Sequence, residues 1–134
     1  MADRILGLLR NAKTIAVVGL SDDPFKPSYD VSRYMQSKGY RIVPINPNLT
    51  EVLGERAYPS LSEAAIHEKI DLVNVFRRPD AVPEIVDEVL ALRIPALWLQ
   101  ETVVHEEAAQ KARDAGVLVV MDKCILKEHR RYGL

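Results

Sequence analysis

Two arginines in tandem, Arg77 and Arg78, follow directly on the apolar run Asp71-Leu72-Val73-Asn74-Val75-Phe76, and Pro79 closes the segment. A guanidinium fork matches phosphate oxygens, so two of them at the end of a buried strand suit a phosphorylated ligand. The plainer reading is a pair of exposed charges partnering Asp80 or Glu84. Another cation, Lys26, lies in Gly19-Leu20-Ser21-Asp22-Asp23-Pro24-Phe25-Lys26-Pro27-Ser28. Here Gly19 lets backbone approach a ligand closely, Ser21 and Ser28 offer hydroxyls, and the start of a following helix offers free N–H groups. That is a phosphate site in outline, with a single glycine and neither Gly-x-Gly-x-x-Gly nor Gly-x-x-x-x-Gly-Lys-Ser. Lys26 reads equally as a solvated loop lysine, and Ser28 as a helix cap.

The remaining polar positions narrow the chemistry. An NAD site commonly has Asp or Glu after its second strand, to take the ribose hydroxyls. Here that place reads Ile45-Asn46-Pro47-Asn48, which argues against NAD. Asn46 suits a sugar or a base, or simply an Asn-Pro turn that stops the strand. No aspartate ends the run at Phe76, which removes a phospho-acceptor domain. Gln100 and Glu101 follow the apolar Ala96-Leu97-Trp98-Leu99. Gln100 suits a ligand amide or backbone groups at the sheet edge. His67, His105 and His129 are scattered, without metal-ligand spacing to a carboxylate or cysteine, so a zinc site is not expected. No Ser-His-Asp or Cys-His arrangement is legible. The lone cysteine, Cys124, stands between Lys123 and Lys127, as a reactive thiol or as a partly buried structural one.

Composition sets the frame for these residues. With 134 residues, 48% hydrophobic and 28% charged, the chain reads as one globular domain, able to bury roughly two-thirds of its unfolded surface. Its 18 Lys+Arg against 19 Asp+Glu give a net charge of −1, so no general basic field draws it to nucleic acid or an anionic membrane. Any anion must be held locally. The longest apolar runs are about six residues, far short of the roughly 20 a membrane helix needs, and the start does not resemble a secretory signal. A cytoplasmic protein is expected.

The elements that must position these residues alternate. Thr14 to Gly19, Arg41 to Ile45, Asp71 to Phe76, Ala96 to Leu99 and Val117 to Met121 are short, largely apolar runs, the pattern of strands buried on both faces. Pro44 lacks a ladder donor, which puts its strand toward an edge. Helices are expected over Ala2 to Asn11; from Tyr29 to Lys38, capped by Ser28 and ended by Gly39; from the capping box at Ser60 through His67; behind Asp80 with Val82, Ile85, Val86, Val89 and Leu90 inward; and behind Thr102 with Val104, Ala108, Ala112 and Ala115 inward, ending at Gly116. Strand, helix, strand in repetition means right-handed crossovers, hence an α/β fold: a Rossmann-like, doubly wound parallel sheet of about five strands with helices on both faces. Ligands of such sheets bind at the carboxyl ends of the strands. Five segments converge there: 19–28, 46–54, 77–82, 100–103 and 122–127.

Quoted in order, Ala16-Val17-Val18-Gly19-Leu20-Ser21, Lys26-Pro27-Ser28-Tyr29, Gly39-Tyr40, Val43-Pro44-Ile45-Asn46-Pro47, Glu51-Val52-Leu53-Gly54, Val75-Phe76-Arg77-Arg78-Pro79, Trp98-Leu99-Gln100, Glu106-Glu107-Ala108 and Val120-Met121-Asp122-Lys123-Cys124 resemble the small stand-alone CoA-binding domain proteins (YccU-like). That family is similar in fold to the N-terminal CoA-binding domain of the succinyl-CoA synthetase α subunit. The resemblance covers nearly the whole chain, residues 1–134 as one CoA-binding domain, and implies coenzyme A or an acyl-CoA as ligand. It implies that Gly19, Leu20 and Ser21, with Lys26 and Ser28, contact the pyrophosphate side. Asn46 and Pro47 would line the nucleotide pocket. Phe76, Arg77 and Arg78 with Val82 would bound the adenosine or phosphate region, and Gln100 and Glu101 would flank the pantetheine path. Thr102 departs from the family, where a glycine commonly follows this strand.

The function expected on this basis is a non-catalytic binding or regulatory module, with no nucleic acid or membrane partner and compatible with a homo-oligomer. Cys124 could also join the CoA thiol as a mixed disulfide under an added oxidant. The alternatives are a partner subunit of an acyl-CoA synthetase-type enzyme, whose further domains do not fit in this length, and an NADP-binding protein using Arg77 or Arg78 for the extra phosphate.

Overall fold

A computed structural model describes residues 2–134. Helix α1 (Ala2–Asn11) leads into β1 (Thr14–Val18), α2 (Pro27–Ser37) and β2 (Arg41–Ile45). A short hairpin, β3 (Glu51–Val52) and β4 (Glu55–Arg56), precedes α3 (Leu61–His67). Then come β5 (Leu72–Val75), a 3-10 turn (Pro79–Ala81), α4 (Val82–Ala91), β6 (Ala96–Leu99), α5 (Glu106–Asp114), β7 (Leu118–Val120) and α6 (Ile125–Arg131).

The five longer strands form one sheet in the order β2-β1-β5-β6-β7, with every pairing parallel. This is the doubly wound α/β arrangement the alternation predicts. Because successive side chains of a strand point to opposite faces, each strand feeds two cores. Ala16, Val18, Val73, Val75, Leu97 and Leu99 pack against α3, α4 and α5. Ile15, Val17, Leu72, Trp98 and Val120 pack against α1, α2 and α6. The chain leaves β1 for one face and the neighbouring β5 for the other, so the strand order reverses between these two strands.

Pro44 sits on the edge strand, as its missing donor requires. Its carbonyl accepts from Tyr58 N–H at 2.9 Å, outside the ladder to β1, so the absent donor also faces the edge. Ser60 caps α3 as expected, its Oγ accepting from Glu63 N–H at 3.1 Å, but the caps of α2, α4 and α5 differ from those expected. Lys26 occupies the cap of α2 with Pro27 in the first turn, a place suited to a residue without N–H, which moves Ser28 into the helix. Asp80 lies in the 3-10 turn, and Ala81 precedes α4. Thr102 does not cap α5. His105 does, its Nδ1 accepting from Ala108 N–H at 3.1 Å, and Val104 and Ala115, expected inward, are exposed.

Segments 46–54 and 122–127, expected as loops, contain β3 with the turn of the β3-β4 hairpin and the start of α6. The hairpin turns through Leu53 and Gly54, both at positive φ (56° and 75°), without the Asn-Gly or Asp-Gly pair that signals such a turn. Helix α6 hides because two of its four buried residues are polar, Glu128 and His129. His129 is held by a 2.9 Å hydrogen bond between its Nδ1 and the Tyr34 hydroxyl. Among the described residues, no helix is long and apolar enough to cross a membrane.

Candidate functional site

The reversal point is built on Gly19. Its N–H donates to the Ile45 carbonyl at 3.0 Å, and Phe76 N–H donates to the Val18 carbonyl at 2.9 Å, which draws the loops after β1 and β5 together. At φ +86° Gly19 occupies backbone space closed to most side chains. A Cβ there would run into the Phe76 carbonyl oxygen and come within 3.2 Å of Arg77 Cδ.

The loop from Gly19 to α2 is braced by its own short polar side chains. Ser28 Oγ accepts from Ser21 N–H at 3.0 Å, Ser21 Oγ from Asp23 N–H at 3.0 Å, and Asp23 Oδ1 from Phe25 N–H at 2.9 Å. These side-chain turns replace the rigidity that a glycine-rich loop forgoes. They fix Lys26 at the mouth of α2, where the helix N–H groups begin.

Between this loop and those after β5, β6 and β7 lies a cleft of about 1040 Å³. Gly19, Ser21, Lys26 and Ser28 line one side, Phe76, Arg77 and Arg78 another, and Gln100 and Glu101 a third. Asn46 and Pro47 line an adjoining hollow of about 490 Å³, which shares Gly19 and Arg77 with the main cleft. Leu20 and Val82 have no exposed surface and lie in the two cores, with the Leu20 carbonyl accepting from Asn46 Nδ2 at 3.1 Å. Asn46 Oδ1 accepts from Asn48 N–H at 2.9 Å, so this side chain builds the Asn-Pro turn that stops the strand. Pro27, Val31, Pro79, Asp80, Thr102, Val103 and Cys124 also line the main cleft. All but Val31 belong to the convergent segments, and Val31, one turn into α2, carried only a core signal.

Lys26, Arg77 and Arg78 are exposed and form no ion pair among the described residues, although Asp80 lines the same cleft. By contrast Lys127 is taken: its Nζ meets Glu101 Oε2 at 3.0 Å, and that carboxylate raises the Lys127 pKa. The far rim is tied by Thr102 N–H donating to Asp122 Oδ1 at 2.7 Å and by Trp98 Nε1 donating to the Lys123 carbonyl at 2.8 Å. Thr102 and Asp122 both hold positive φ, 71° and 60°. Thr102 therefore takes the conformation a glycine would take at no steric cost, while carrying a side chain. On the cleft floor, Gln100 Nε2 donates to Asn74 Oδ1 at 2.6 Å. Three unpaired cations round a close-approach glycine can hold a polyphosphate, and a long walled cleft beyond them can take an extended arm.

Known proteins are similar to this chain in sequence or in fold. The uncharacterized protein YneT of Bacillus subtilis is 46% identical over 122 residues, covering 91% of this chain and 89% of its own length. A hypothetical protein from Pyrococcus horikoshii superposes with a TM-score of 0.92 at 34% identity, over 98% of this chain and 91% of that one. The apo form of the dinucleotide forming acetyl-coenzyme A synthetase 1 of Ca. Korarchaeum cryptofilum matches with a TM-score of 0.74 at 26% identity, over 87% of this chain but 28% of the synthetase. The model of the CoA binding domain family matches residues 13–130, and the chain belongs to that family.

Proposed function

We propose that this chain binds coenzyme A or an acyl-CoA at the carboxyl ends of its strands, as a binding or regulatory module without catalysis of its own. The observation that carries the reading is the set Lys26, Arg77 and Arg78 around Gly19, cations that form no ion pair among the described residues in a protein of net charge −1. CoA carries a diphosphate and a ribose phosphate. Gly19 and Arg77 belong to both the cleft and the hollow, which suits the diphosphate at their seam. The nucleotide then lies toward Asn46 and Pro47, and the pantetheine arm runs along Phe76, Gln100 and Glu101. Leu20 and Val82 support this site from the cores. Isothermal titration tests it: CoA and acetyl-CoA should give saturable heat and NAD none. No heat with either CoA ligand at millimolar concentration overturns the reading.

A second reading, a partner subunit of an acyl-CoA synthetase-type enzyme, is favoured by the match to 28% of the acetyl-coenzyme A synthetase. A pull-down that recovers a synthetase-like subunit supports it, and one that recovers none counts against it.

A further inference from the structure

A strand covered on both faces is normally an unbroken apolar run, and β5 is interrupted. Asn74, 1% exposed, sits between Val73 and Val75, flanked across the ladder by Val17 and Trp98. Its Oδ1 accepts from Gln100 Nε2 at 2.6 Å, the one hydrogen bond of either amide side chain among the described residues. Gln100 Oε1, like Asn74 Nδ2, is therefore without a protein partner among the described residues, and buried polar atoms in that state call for an explanation. Among the described residues, the only fully enclosed side-chain N or O lacking a partner is Ser32 Oγ. Gln100 Oε1 is thus not sealed off, and Gln100, though 4% exposed, lines the main cleft.

We propose that Asn74 is a positioning residue that holds the Gln100 amide with its carbonyl oxygen toward the cleft, as an acceptor for an amide N–H of the bound ligand. A glutamine side chain turns about three bonds, and anchoring its nitrogen fixes where its oxygen points. The pair selects ligands that carry a peptide-like arm, such as pantetheine, over bare nucleotides. This rests on the CoA reading above and adds to it the group that reads the arm.

The test is titration of wild type, Asn74→Leu, Gln100→Leu and the double variant with CoA and with adenosine 3′,5′-diphosphate, which lacks the arm. Wild type should bind CoA more tightly than the nucleotide. Each single variant should lose about tenfold in CoA affinity with nucleotide affinity unchanged. The double variant should lose no more than Gln100→Leu alone, because Asn74 acts through Gln100. Asn74→Asp, which keeps the acceptor, should retain the wild-type ratio. If Asn74→Leu does not fold, Gln100→Leu still decides at the strand's end. An unchanged CoA-to-nucleotide ratio in Gln100→Leu, or additive losses in the double variant, overturns the assignment and leaves the CoA reading standing. Wild type that binds neither ligand overturns the CoA reading itself.

Discussion

Two residues carry opposite expectations from the same region of backbone space. Gly19 at φ +86° has the Phe76 carbonyl where a Cβ would go, so Gly19→Ala adds both conformational strain and a clash at the reversal point. Its cost should be about 2–4 kcal/mol in denaturant unfolding, with CoA binding lost as the loops part. Thr102 at φ 71° is a β-branched residue where a glycine is unstrained. Thr102→Gly keeps the N–H donated to Asp122 and should stabilise by about 0.5–1 kcal/mol, part of the gain being offset by the freer unfolded chain. A lower unfolding midpoint would show that the Thr102 side chain supports the rim. The sequence marked both positions, Gly19 by its place after an apolar strand and Thr102 by its departure from the family. Neither the sign of φ nor the contact with Phe76 was legible, because both arise from loops distant along the chain. The same holds for Asn74 and Gln100, 26 residues apart and joined only by strand register.

At the scale of elements, what could be read followed periodicity. The five sheet strands and the helices over 2–11 and 82–91 announce themselves through apolar spacing, because burial dictates that spacing, and the helix over 61–67 through its capping box. Helix α6 does not, since its inward face relies on a buried histidine instead of a third aliphatic side chain. That histidine makes the docking of α6 on α2 sensitive to pH. His129 stands edge-on to Tyr34 and Tyr40, bonded to the Tyr34 hydroxyl, with Lys38 and Arg130 over the Tyr34 ring. Burial, then the Lys38 charge, lowers its pKa from 6.5. The folded state thus binds a proton less readily than the unfolded one, and stability present above pH 6.5 is lost as pH falls toward the folded-state pKa. Melting temperature followed from pH 7.5 to 5 should decline in wild type more steeply than in His129→Phe. Parallel profiles would show that His129 takes up its proton equally in the folded and unfolded states, and would overturn the lowered pKa.

For the whole molecule, the question is whether anion binding comes from a general field or from three local cations. A net charge of −1 supplies no attraction at long range, and at physiological salt a field fades within about 8 Å. Position must then decide the effect of a charge change. Lys26 stands at the carboxyl-end cleft, whereas Lys69 lines a separate hollow with Asp71, Ile94 and Pro95, just before β5 and β6 begin. Lys26→Glu and Lys69→Glu alter the total charge equally. The first should weaken CoA binding by about 10–100-fold, through a lost phosphate contact and a new repulsion. The second should change it less than about twofold, and in 0.5 M salt the gap between the variants should narrow as the local repulsion is screened. Equal losses in both variants would mean that the overall charge governs binding, and the cluster around Gly19 would lose its claim as the phosphate site.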